Sequence, residues 1–103
     1  MKSIGISSIE IDGSGRLLVY PAVQDPAYFQ YVYRAAAEIY WDNAGYFHSP
    51  IPREWSYCQW LEQIRFAVRD ELGIELVALQ DTSYISVPKS DELAMRLALG
   101  QRA

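Results

Sequence analysis

Along residues 56–73 the apolar positions Tyr57, Trp60, Leu61, Ile64, Ala67, Val68 and Leu72 recur at three- and four-residue intervals. Wound as an α-helix they form one stripe, wide enough to cover a sheet face. Ser56 followed three residues later by Gln59 is a capping box, in which each side chain satisfies a backbone N–H of the other residue. Gly73 offers the left-handed position that ends a helix without Cβ strain. The pattern therefore predicts a helix that starts at Ser56 and stops at Gly73. Phe66 lies off the stripe among Gln59, Glu62 and Asp70, so it is expected in water, under the C-terminal segment, or against another subunit.

Elsewhere the alternation is that of strands. Residues 2–12 alternate, but Ile4 and Ile6 are in one phase and Ile9 and Ile11 in the other. A bulge at Ser7 and Ser8 would return all four to one face. Asp12-Gly13-Ser14-Gly15 is turn chemistry, and Arg16–Tyr20 reads as the return strand of a hairpin, stopped by Pro21. Asp25-Pro26 is a helix start, with an acid at the cap and proline in the first turn. That helix is expected to run to about Tyr31 and give way to a strand over residues 33–41, because Ile39-Tyr40-Trp41 is β-rich and Asp42-Asn43-Ala44-Gly45 suits a hairpin turn onto Tyr46-Phe47-His48.

Pro50-Ile51-Pro52 is extended by its own chemistry and leads into the main helix. Ile74–Leu79 and Tyr84–Val87 read as two strands separated by the polar Gln80-Asp81-Thr82-Ser83. Ser90, with Asp91 and Glu92 after it, predicts a last helix over Leu93–Leu99, closed by Gly100. Strands before and after one central helix, with no repeated βαβ alternation, give an α+β fold. Its expected form is a mostly antiparallel sheet packed on the central helix, with a short C-terminal helix.

Composition adds bounds. A chain of 103 residues, half of them hydrophobic, is expected to form a single domain that folds without a metal or disulfide. One cysteine, no signal-like N-terminus and no long apolar run point to a cytoplasmic protein. A net charge of −4 without clustered Lys or Arg argues against nucleic-acid and anionic-membrane partners. Aromatic residues make up 14% of the chain, with eight Tyr and three Trp, the residue types that serve pockets and interfaces as well as cores.

Candidate chemistry is sparse. Cys58 sits at the second position of the main helix, where the dipole can activate a thiol, and His48 is the only histidine. An enzyme built on Cys58 and His48 would still need an oxyanion site and an orienting group that the sequence does not supply. Glu38, Asp42 and Glu54 could furnish paired carboxylates, though their simpler reading is solvated charge at strand and turn ends. The acid–glycine cluster Glu10, Asp12, Gly13 and Gly15 lacks the ligand run of a calcium loop. No metal or cofactor is expected, and no glycine-rich phosphate loop precedes a helix.

What remains is an aromatic constellation: Tyr40, Trp41, Tyr46, His48, Arg53 and Trp55, with Glu54, Tyr57 and Trp60 beside them. It reads as core packing or as a ligand- or partner-binding face. The leading expectation is a non-enzymatic binding module for a small molecule or protein, with an immunity- or antitoxin-like inhibitor as a protein-binding version. Phe66 and Leu97 are the candidate contacts of a homo-oligomer.

The run Tyr40-Trp41-Asp42, Ser49-Pro50, Pro52-Arg53-Glu54-Trp55-Ser56-Tyr57, Trp60, Ile64 and Asp70-Glu71-Leu72-Gly73, followed by Glu75-Leu76, resembles small bacterial proteins of the mobile integron gene cassette type. The likeness extends over roughly residues 28–88. It implies a bacterial, cytosolic, single-domain protein with a tendency to oligomerise, and it carries over no catalytic residue.

Overall fold

The computed structural model describes residues 2–100. Five strands form one sheet in the order β3-β4-β2-β1-β5. They are β1 (Lys2–Ile11), β2 (Leu17–Pro21), β3 (Tyr40–Asp42), β4 (Tyr46–His48) and β5 (Ile74–Ile85). The helices are α1 (Pro26–Phe29), α2 (Tyr57–Leu72) and α3 (Lys89–Ala98), with a 3-10 turn over Gln30–Arg34 directly after α1. Every neighbouring pair is antiparallel except β1 with β5, which is parallel because α2 carries the chain across before β5 begins.

The capping box at Ser56 and Gln59 is formed in both directions, and Gly73 closes α2 at φ +67°. Leu61, Ile64, Ala67, Val68 and Leu72 are buried against Ile4, Ile6, Ile9, Leu17 and Val19 of the sheet and against Met95 of α3. Two tyrosine hydroxyls pin the ends of α2: Tyr57 donates to Gly15 O at 2.8 Å and Tyr28 donates to Leu72 O at 2.8 Å. The helix is thus held at the β1–β2 turn at one end and at α1 at the other.

The phase slip in β1 is the expected bulge: pairing with both neighbours shifts between Ile6 and Ser8, and Ile4, Ile6 and Ile9 all face the core. On β5 the same slip is larger, since Ile6 pairs with Ala78 while Ser8 pairs with Ser83. The polar Gln80–Ser83 stretch is therefore not a connection between two strands. It is a loop-out within one continuous strand, closed by the buried Thr82, whose Oγ1 donates to Ile6 O and accepts from Leu79 N, both at 2.7 Å.

Residues 33–39 are not a strand. The chain leaves the 3-10 turn through Ala35, reaches a left-handed Glu38 (φ +72°), and pairs only from Tyr40. Phe29, Val32, Ala36 and Ile39 are the buried residues of this stretch. Their spacing is helical, so core burial on turn-like backbone keeps the chain out of the sheet as far as Ile39, and the β-propensity of this segment is expressed only from Tyr40. The last helix also begins earlier than Ser90 suggests: α3 starts at Lys89 after Pro88, without a side-chain cap. Asp91 and Glu92 do lie in its first turn, and Gly100 follows it in a left-handed conformation.

Candidate functional site

The sheet sorts the aromatic residues by strand parity, because successive side chains point to opposite faces. Trp41 and Phe47 point inward. Their ring centroids lie 4.9 Å apart, and each packs on Phe29, at 5.1 and 5.2 Å. Trp41 is core packing, although its buried Nε1 has no hydrogen-bond partner among the described residues. Tyr40, Tyr46 and His48 point outward, where Tyr46 also meets Tyr20 at 5.2 Å.

Arg53 and Trp55 belong to a different place. The Pro50–Trp55 connection, residues Ala37 and Glu38 before β3, and Trp60 and Gln63 on α2 enclose an open groove of about 770 Å³. Trp55, 44% exposed, lies against Trp60 with ring centroids 4.8 Å apart. Trp60 is half-buried, and its Nε1 is buried without a partner among the described residues. Around the indole pair stand Arg53, Glu38 and Glu54, all exposed and in no ion pair among the described residues. The groove thus combines a pair of indole rings with charges of both signs.

The remaining candidates are separated. Asp42 accepts from Ala44 N at 2.8 Å and shapes the β3–β4 turn. His48 contacts the carbonyl of Ser49 through Nδ1 on the outer sheet face, whereas Cys58 points its thiol toward Ala94 O of α3, at 3.7 Å. The sheet lies between them. Burial pushes the Cys58 thiol pKa up, and the charges of Glu62 and Asp91 push in the same direction. The dipole at the start of α2 does not overcome these. Phe66 is 42% exposed beside Glu62, Arg65 and Arg69, so α3 does not cover it; Leu97 is 78% exposed. No helix among the described residues is long and apolar enough to cross a membrane.

A family model described as Integron Cassette Protein Hfx_Cass5 matches residues 4–82. The chain belongs to this family. A solved structure titled as Integron Cassette Protein Hfx_Cass5, from the mobile metagenome of North West Arm Sewage Outfall, is 40% identical, with 97% of this chain and 98% of that chain covered and a TM-score of 0.46. No curated protein matches. The family segment includes both the groove and the outward tyrosines and stops before α3.

Within this cassette protein two site members were not placed by the sequence pattern. Glu38, a candidate only as one of the paired carboxylates, enters the groove from a left-handed position between the 3-10 turn and β3, a placement with no strong local signature for a residue other than Gly or Asn. Tyr20 joins the outward aromatics because β2 pairs with β4, a long-range pairing. Its signal was present in the alternation of Leu17 to Tyr20, which puts Tyr20 in the phase opposite to Leu17 and Val19.

Proposed function

We propose that the protein is a binding module whose groove takes a small planar molecule. The observation that carries this reading is the Trp55–Trp60 pair lining the groove, with Trp55 44% exposed. The two indoles, tilted 48° to one another, offer polarizable faces on which a planar ligand can stack. Arg53, Glu38 and Glu54 in the groove lining select for ligands with a matching polar edge. Concave apolar walls with a few converging polar groups are the usual form of small-molecule sites.

The reading is tested by titrating the isotope-labelled protein with a set of heteroaromatic fragments and following the indole N–H resonances of the three tryptophans. Fragments are expected to move the Trp55 and Trp60 signals and leave Trp41 still. Trp55→Ala, at an exposed position, should abolish the shifts with the fold intact. Fragments that bind without touching either indole would refute the proposal.

A further inference from the structure

The outer face of the sheet, turned away from α2, carries two rows of side chains set by the strand register. One row runs Ile85, Glu10, Leu18, His48, Tyr40 across all five strands. The other runs Ser83, Ser8, Tyr20, Tyr46, Asp42, with the Tyr20–Tyr46 ring contact joining β2 to β4. The rings form a continuous strip: Tyr20 to Tyr46 at 5.2 Å, Tyr46 to His48 at 6.0 Å and His48 to Tyr40 at 5.9 Å. Tyr40 is 49% exposed and Ile85 43% exposed at the two ends of their row.

Carboxylates edge this strip. Glu10 accepts from the Tyr20 hydroxyl at 3.4 Å, and Asp42 lies beside the Tyr46 hydroxyl. The arginine on this face, Arg16, is already held by Asp12 at 3.1 Å. Aromatic faces attract guanidinium and ammonium groups, and the neighbouring carboxylates strengthen that attraction. The chain uses the same chemistry internally, with Arg34 over the Tyr31 ring at 4.3 Å and Arg96 over the Tyr84 ring at 4.6 Å. The Tyr46–His48 and His48–Tyr40 steps, 6.0 and 5.9 Å, approach the ~7 Å repeat of alternate side chains in an extended peptide. A second copy is a poor occupant, because a two-fold contact would set Glu10 and Asp42 against like charge.

We propose that the outer face of β2, β4 and β3 docks an extended segment of a partner protein bearing Arg or Lys at alternate positions, with the cationic groups over the Tyr20, Tyr46 and Tyr40 rings and paired to Glu10 and Asp42. This surface is independent of the tryptophan groove, which opens beside α2.

The test is a titration of the isotope-labelled full chain with a capped peptide of alternating Gly and Arg, and with its Glu counterpart, at about 20 mM salt, where surface attraction is little screened. The Arg peptide is expected to shift the amides of Tyr20, Tyr40, Tyr46 and His48, and the Glu peptide to shift none. Tyr40→Ser and Glu10→Gln, both on the surface, should each weaken binding by roughly fivefold, whereas Asp70→Asn on the exposed side of α2 should leave it unchanged. Equal weakening by Asp70→Asn would reduce the effect to the net negative charge and overturn the proposal. So would shifts mapped elsewhere, or a wild-type dimer that Tyr40→Ser dissociates, which would give this face to a second copy.

Discussion

Thr82→Val replaces a hydroxyl with a methyl of nearly the same shape and removes both hydrogen bonds that close the loop-out in β5. Thr82 is 5% exposed, so water does not readily replace the hydroxyl. Its Oγ1 is the acceptor for Leu79 N and the donor to Ile6 O, each at 2.7 Å. It does the work of ladder bonds where β1 and β5 fall out of register, between the Ile6–Ala78 and Ser8–Ser83 pairs. A made hydrogen bond contributes ~1 kcal/mol, and a buried polar group deprived of its partner costs ~1–3 kcal/mol. The two together give an expected loss of about 2–4 kcal/mol, a large part of the ~5–15 kcal/mol that holds a typical domain folded. Thr82→Ser keeps the hydroxyl and should cost only ~1 kcal/mol through the lost methyl.

Urea denaturation followed by tryptophan fluorescence separates the variants, with the Val midpoint expected ~1–2 M below wild type at a slope typical of small proteins. Amide exchange should accelerate first along residues 78–83. If Thr82→Val stays within ~0.5 kcal/mol of wild type, the range of an ordinary surface change, the hydroxyl is not what closes the loop-out. A Ser variant as unstable as Val would likewise refute the reasoning.

Three further outcomes follow from side-chain environments. Burial alone would raise the Asp12 pKa, but hydrogen bonds from the Ser14 hydroxyl, Arg16 N, the Arg16 guanidinium and Ser14 N hold it at about 2, below the ordinary 3.8. Because the folded value is the lower one, the stabilisation is present above pH 3.8 and is lost as pH falls toward 2. Solvent screening of this surface carboxylate keeps it below about 2 kcal/mol, and acid titration of stability should show wild type losing its advantage over Asp12→Asn in that window. Cys58 should react with disulfide reagents at neutral pH more slowly than a model thiol, and faster in Glu62→Gln; a wild-type thiol pKa below the ordinary range would refute the stated causes. Phe66→Asp should change stability by less than ~1 kcal/mol, since the ring is 42% exposed. Unfolding would contradict that exposure, and sedimentation equilibrium on the same pair tells whether Phe66 joins two copies.

Local chemistry determined much of this protein. The limits of α2 follow from Ser56, Gln59 and Gly73, which act on backbone groups three or four residues away, and the bulge in β1 follows from the changed phase of four isoleucines. The inward residues of α2 and β1 were legible for the same reason, because burial repeats with the period of the element itself. The α+β class came from element order alone. Tertiary structure decided whatever depended on partners distant in sequence. Gln80–Ser83 looks like a connection until β1 is placed beside it, since only the Ile6 carbonyl makes Thr82 an element of a strand. Residues 33–39 have β-forming side chains near their end, yet the core drew Val32, Ala36 and Ile39 inward on turn-like backbone. The aromatic constellation, continuous in sequence, was divided by the sheet: Trp41 went to the core, Tyr40, Tyr46 and His48 to the outer face with Tyr20, and Arg53 and Trp55 to the groove. The sheet has two faces and the sequence one dimension, so the side a residue reaches is known only once strand parity and strand order are both in place.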